Sequence, residues 1–139
     1  MKITYGICLI SLFLISATAS AELVVVANPS VKFSTLPRSQ LNRLFLGQTG
    51  SFTDGSRAVP LDVSGDQRNA FYQGVLKKSP AQMEKYWARM IFTGKEQPPR
   101  EVRAREVKSV VADTVGAISY MDSADVDGSV KVITVTNDN

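Results

Sequence analysis

The sequence predicts an α/β fold, a small mixed sheet flanked by helices in a single domain. Three observations carry this. The stretch E-L-V-V-V-A, Glu22 to Ala27, is a continuous β-branched run ended by Asn28-Pro29, the pattern of a strand covered on both faces. Met83, Tyr86, Trp87, Met90 and Ile91 recur at helical spacing. Strand-like and helix-like segments alternate along the chain, giving the order β-α-β-α-α-α-β-β.

The first residues stand apart from this pattern. Lys2 gives a positive start, Ile7 to Ile15 is nearly all apolar, and Ala19 and Ala21 occupy the small-residue positions of a cleavage site. Residues 1–21 therefore read as a secretory signal peptide. The apolar run is shorter than the roughly 20 residues a membrane span requires. Cys8 lies inside that run instead of ending it, which argues against lipidation. The remaining 22–139 is expected to be one exported, periplasmic domain.

Each later element has its own signal. Pro37 suits the first turn of a helix, Leu41, Leu44 and Phe45 follow at i, i+3, i+4, and Gly47 is placed to end it. Gln48 to Arg57 is a loop rich in Gly, Ser, Thr and Asp. Ala58 to Val63 is a second strand, and Pro60 places it at an edge or at a strand start. In the next helix Phe71 and Val75 share a face, with Tyr72 and Leu76 beside them. Ser79, Pro80 and Gln82 form a capping box ahead of the Met83–Ile91 stripe, which Gly94 stops. Val107, Val110 and Val111 mark a helix ending near Asp113. Gly116 to Met121 and Val130 to Val135 are strands separated by an Asp-rich turn.

Composition narrows the chemistry. Of 139 residues 16 are Lys or Arg and 13 are Asp or Glu; setting aside Lys2 leaves a net charge of +2, too small to suggest nucleic acid. The chain has no histidine, and Cys8 is its one cysteine. Ordinary zinc, copper and haem sites, and nucleophile pairs built on histidine, are thereby excluded, and neither an enzyme nor a cofactor is expected. Without disulfides in 22–139, stability has to come from a packed core.

The residues of V-S-G-D-Q-R, Val63 to Arg68, are the candidate site. A helix start offers unpartnered N–H groups and the positive end of the helix dipole, so it can hold an anion. Ser64 adds a hydroxyl, Gly65 permits close approach to the backbone, and Arg68 lies one turn in. Asp66 tolerates an anion that brings a proton, hydrogen phosphate and not sulfate. Against this, Ser64 and Gln67 have the spacing of a capping box, which would use the same N–H groups structurally.

Other polar clusters have plainer readings. Asp122, Asp125, Asp127 and Gly128 resemble part of a calcium loop, but Thr134 stands where the closing glutamate belongs, so a polar turn is expected. Arg89 could stack on an aromatic or pair with a carboxylate such as Asp62, and a structural ion pair is favoured over a ligand role. Lys95, Arg100, Arg103, Arg105 and Lys108 form a basic stretch, read as a solvated face or a docking patch.

Several segments together resemble the phosphate-type substrate-binding proteins of ABC transporters, of the type II periplasmic-binding-protein class. They are the strand followed by Asn28-Pro29, L-x-x-x-Q-L-x-x-L-F-L-G (Leu36 to Gly47), R-N-A-F-Y (Arg68 to Tyr72), Y-W-A-R-M-I-F-T-G (Tyr86 to Gly94) and G-A-I-S-Y (Gly116 to Tyr120). The resemblance implies a single lobe of that two-lobed fold. In the family, a strand-to-helix loop R-x-D-G-S-G-T holds the phosphate; Ser64 and Gly65 match its S-G pair and Asp66 its threonine. Pro60 or Leu61 replaces the arginine, and Ser119 replaces a glycine.

Two functions follow as expectations. One is a solute-binding module holding phosphate or a similar small oxyanion at Ser64, Gly65, Asp66, Gln67 and Arg68, with a membrane transporter or sensor as partner and a homodimer as one way to cover the ligand. The other is a ligand-free interaction module of the cell envelope, using the Gln48–Arg57 loop and the basic stretch.

Overall fold

The computed structural model describes residues 22–138, so the signal-peptide reading lies outside the described residues. One six-stranded sheet, with order β2-β6-β1-β5-β3-β4, organises them. Its strands are β1 (Leu23–Ala27), β2 (Thr35–Pro37), β3 (Val59–Val63), β4 (Arg100–Val102), β5 (Ala117–Asp122) and β6 (Lys131–Thr136). The sheet is mixed, as expected: β1 runs antiparallel to both β5 and β6, while β2–β6, β3–β4 and β3–β5 are parallel. No described helix is long and apolar enough to cross a membrane.

The β-branched opening run becomes β1 because it is covered on both sides, with Val25, Val26 and Ala27 all buried. In β5 every residue from Ala117 to Met121 is buried, so both its faces are also covered. Pro60 corrects half of its expectation. It sits second in β3 and not at an edge: β3 lies between β5 and β4, and the β4 pairing begins one residue later, at Leu61↔Arg100. The proline therefore takes no ladder hydrogen bond away from that side.

Helix α1 (Arg38–Phe45) buries Leu41, Leu44 and Phe45 and ends where Gly47 donates to the Leu44 carbonyl (3.2 Å) and Gln48 to that of Arg43 (2.8 Å). Pro37 precedes this helix and closes β2 instead of occupying the first turn. Helix α2 (Asp66–Phe71) widens into a π-turn over Tyr72–Leu76, which puts Phe71, Tyr72 and Leu76 all inside. Phe71 stacks on Tyr120 of β5 with centroids 3.8 Å apart, and Phe45 meets Phe71 edge-on at 4.9 Å, locking α1 and α2 to one face of the sheet.

Helix α3 (Pro80–Phe92) has the full capping box at Ser79 and Gln82. It docks on the end of α1: Tyr86 Oη donates to the Leu46 carbonyl at 2.7 Å, and the Trp87 ring lies over Gly47. Only Met83 and Trp87 of the stripe are buried, whereas Ile91 is exposed, a departure from the core role expected of it. Helix α4 (Val107–Asp113) packs on β5 and β1. Asn28 ties the end of β1 to it by donating to the Val111 and Ala112 carbonyls, both at 2.9 Å.

At Gly116, just before β5, a side-chain Cβ would stand 2.3 Å from the Arg57 carbonyl oxygen. Only glycine lets these two backbones lie this close.

Candidate functional site

Ser64 to Arg68 sit where β3 leaves the sheet and α2 begins. Val63 is fully buried, Ser64, Gln67 and Arg68 are half-buried, and Gly65 and Asp66 are exposed. The turn depends on Gly65, whose φ of 90° and ψ of −156° suit glycine and almost nothing else. All five residues predicted for the site are therefore contiguous and reach solvent.

The capping-box alternative fails on geometry. Gly65, not Ser64, is the N-cap, and α2 has no side-chain cap. Ser64 is instead held by β4: its N–H donates to the Val102 carbonyl at 3.0 Å, and its hydroxyl reaches the same oxygen only at 3.5 Å. The Arg68 N–H already donates to the Gly65 carbonyl at 3.1 Å, which leaves the Asp66 and Gln67 N–H groups to solvent or to a ligand. Gln67 Oε1 is buried with no partner among the described residues.

Directly behind the turn lies a buried carboxylate that organises it. Asp62 Oδ1 accepts from the Tyr120 hydroxyl and from the Val63 N–H (3.0 Å). Oδ2 accepts from the Tyr72 hydroxyl (2.5 Å) and pairs with Arg68 Nε (3.2 Å). Four donors fill the lone pairs of a carboxylate, which is what allows one to be buried. Burial, and then the Asp62 charge, push both tyrosine hydroxyls well above their ordinary range, so they remain donors. Burial disfavours the Arg68 charge, but Asp62 and Tyr72 outweigh it and hold the guanidinium above its ordinary value.

The structure corrects the partner of Asp62. Arg89 is exposed on α3, and Arg68 takes the place expected of it. Arg68 also reaches Glu101 of β4 at 3.5 Å, with its guanidinium 5.6 Å from the Tyr72 ring centre. The tyrosines are the members of this site that sequence reasoning missed. The available signal was Asp62 itself, a carboxylate inside an otherwise apolar strand that demanded several donors.

Beside Ser64 a groove of about 410 Å³ is lined by Arg100, Arg103, Glu101 and Glu106 as well as Val102. Two arginines thus stand near the turn, Arg100 in β4 and Arg103 just after it, and neither comes from β3, where the family pattern has its arginine. Ser119 is satisfied without a ligand: its hydroxyl donates to the Leu61 carbonyl at 2.7 Å, tying β5 to β3.

The other polar clusters have structural roles. In the Asp-rich turn Asp122 caps the Ala124 N–H (2.9 Å), while Asp127 receives Ser129 and pairs with Lys108 at 3.0 Å. Among the described residues no acidic group is arranged to hold a metal ion. The basic stretch is divided, since Lys108 is drawn to this turn while Arg100, Arg103 and Arg105 face solvent.

Comparison with known proteins places this geometry in a fold. No protein-family model and no curated protein matches the chain. Solved structures do. A protein from Clostridium perfringens, described as a phosphate ABC transporter substrate-binding protein with bound phosphate, aligns with a TM-score of 0.65 at 16% identity over 83% of this chain. An ABC-type phosphate transport receptor from Vibrio cholerae aligns at 0.62 with 18% identity over 83%, and PstS from Borrelia burgdorferi at 0.63 with 12% over 84%. This chain spans only 45%, 46% and 47% of their lengths. The protein has a substrate-binding-protein-like fold, a six-stranded sheet flanked by helices that corresponds to less than half of those chains.

Proposed function

We propose that this protein is an exported, non-enzymatic solute-binding module that takes up phosphate or a similar small oxyanion at the turn from Ser64 to Arg68. A single observation carries the reading. In a fold shared with phosphate receptors, β3 ends in a glycine-dependent turn at which the Asp66 and Gln67 N–H groups have no side-chain cap and Gly65 and Asp66 are exposed. Gly65 gives access to the backbone, Ser64 supplies a hydroxyl whose only bond is weak, and Arg68 is held at the rim by Asp62. Arg100 and Arg103, at β4 and just after it, line the groove beside Ser64 together with Glu101 and Glu106. Asp66 is exposed on the first turn, where it can accept a hydrogen bond from the O–H of hydrogen phosphate, a donor that fully ionised sulfate lacks.

Residues 22–139 act in this reading as one lobe in the periplasm, following removal of residues 1–21. One lobe covers an anion on one side only, so affinity is weak until a second surface closes over it. A membrane transporter or sensor is the partner to which the solute passes.

Titration calorimetry at low salt tests this. Phosphate is expected to give heat and sulfate little, with the phosphate signal reduced about tenfold or more in affinity by Arg68→Ala, the scale of a lost charge-assisted contact. An intact circular dichroism spectrum with no heat for either anion rejects the reading.

A further inference from the structure

We propose that Glu101 competes with the solute for Arg68, a role that rests on the anion site proposed above and names what limits its affinity. Asp62 and Glu101 are paired residues of the parallel strands β3 and β4, so their side chains leave the sheet on the same face. Carboxylates side by side on neighbouring strands repel each other. Arg68 reaches both: its Nε stands 3.2 Å from Asp62 Oδ2, and its Nη1 stands 3.5 Å from Glu101 Oε2. The Arg68 side chain keeps 35% of its surface exposed, so an anion can reach it. That anion gains the full charge of the guanidinium only when one of the two acids gives way.

The two acids are not equivalent, and the difference decides which one yields. Asp62 is buried and also accepts from Tyr72, Tyr120 and the Val63 N–H, so releasing Arg68 would leave its charge without water to receive it. The Glu101 side chain is 50% exposed, and Arg68 is its only partner among the described residues. Water replaces such a partner at little cost. Glu101 is therefore the acid that withdraws. It also lines the groove beside Ser64, and β4 holds its backbone there, so a displaced Glu101 remains a like charge next to the bound anion. Competition and repulsion act in the same sense. Asp62 keeps Arg68 in place, and Glu101 sets how firmly the site holds its solute.

Titration calorimetry with inorganic phosphate at low salt, comparing the wild type with Glu101→Gln and Asp113→Asn, is the test. Glu101→Gln keeps the side-chain shape and removes the charge. It is expected to tighten phosphate about two- to fivefold, the worth of a half-exposed ion pair read as affinity, with an unaltered circular dichroism spectrum. A purely structural ion pair would lower stability on removal and would not raise affinity. Asp113 is exposed at the end of α4, outside the groove, so Asp113→Asn removes the same formal charge and is expected to bind as the wild type does. If the wild type binds phosphate and Glu101→Gln binds it no more tightly, the proposal is overturned and the anion site stands. An equal gain in Asp113→Asn overturns it too, because net charge alone then accounts for the effect. No heat from either the wild type or Glu101→Gln overturns the anion site and this role together.

Discussion

Asp62 and Asp127 are both carboxylates with a basic partner close by, and they do different work. Asp62 is 1% exposed and gathers two tyrosines, a backbone N–H and Arg68. Asp127 sits in an open turn with Ser129 and Lys108, and these partners lower its pKa to about 2. Both carboxylates accept from hydroxyl and N–H donors and pair with a cation. Solvent separates them: water can replace every partner of Asp127, and none of the buried partners of Asp62. The lesson is that a carboxylate's surroundings, not its bond count, decide whether it holds a site together.

The strongest way to break this comparison is Asp62→Ala. It strands two tyrosine hydroxyls, the Val63 N–H and the Arg68 charge, and a loss of about 3 kcal/mol in urea unfolding is expected, the low end for a broken buried pair because Arg68 keeps some solvent. A loss under about 1 kcal/mol would put Asp62 in the same class as Asp127. Gly65→Ala leaves the carboxylate alone and strains the turn in front of it. About 1–3 kcal/mol is expected from the backbone alone, together with loss of calorimetric anion binding.

Tyrosine removal sharpens the comparison further. Tyr120→Phe and Tyr72→Phe should each cost about 1–2 kcal/mol, with Tyr120 the costlier because its oxygen also accepts the Val63 N–H at 3.1 Å. Burial holds both hydroxyls protonated beyond the pH of about 10 at which an unfolded tyrosine ionises. Their contribution is complete below pH 10 and is lost as the pH climbs through the folded values. Urea midpoints should therefore fall above pH 10 in the wild type and fall less steeply in the double Phe variant. The smallest effect belongs to Asp127→Ala, whose urea midpoint at pH 7 should match the wild type within experimental scatter; any contribution of Asp127 vanishes as the pH falls from about 4 toward 2.

Much of this fold was legible before the structure. β1, β3, β5 and β6, the α1 face of Leu41, Leu44 and Phe45, and the cap of α3 all follow from local pattern, because each is decided by neighbours a few residues away. β2 and β4 were not, since three-residue strands have no room for a period and exist only through β6 and β3. The candidate turn was legible as a place but not as a geometry. Ser64-x-x-Gln67 has the letters of a capping box, yet Gly65 adopts a positive φ and Val102 claims the Ser64 N–H. Arg89 was the expected partner of Asp62, but Arg68 in the α2 helix that directly follows β3 takes that place while Arg89 is exposed on α3, a placement that helical spacing alone does not reveal. The stripe on α3 exposes a related limit. Helical periodicity shows which residues share a side, not whether a neighbour is there to meet them.

β1 stands inside the sheet between β5 and β6, the two strands furthest from it along the chain. A nascent polypeptide therefore carries its most apolar strand unpaired until almost everything else has been synthesised, and no stable half-sheet can form early. Such delayed closure keeps the chain open for longer before the sheet can form. It also means that trimming β6 should undo the molecule from its middle outward, in one cooperative step.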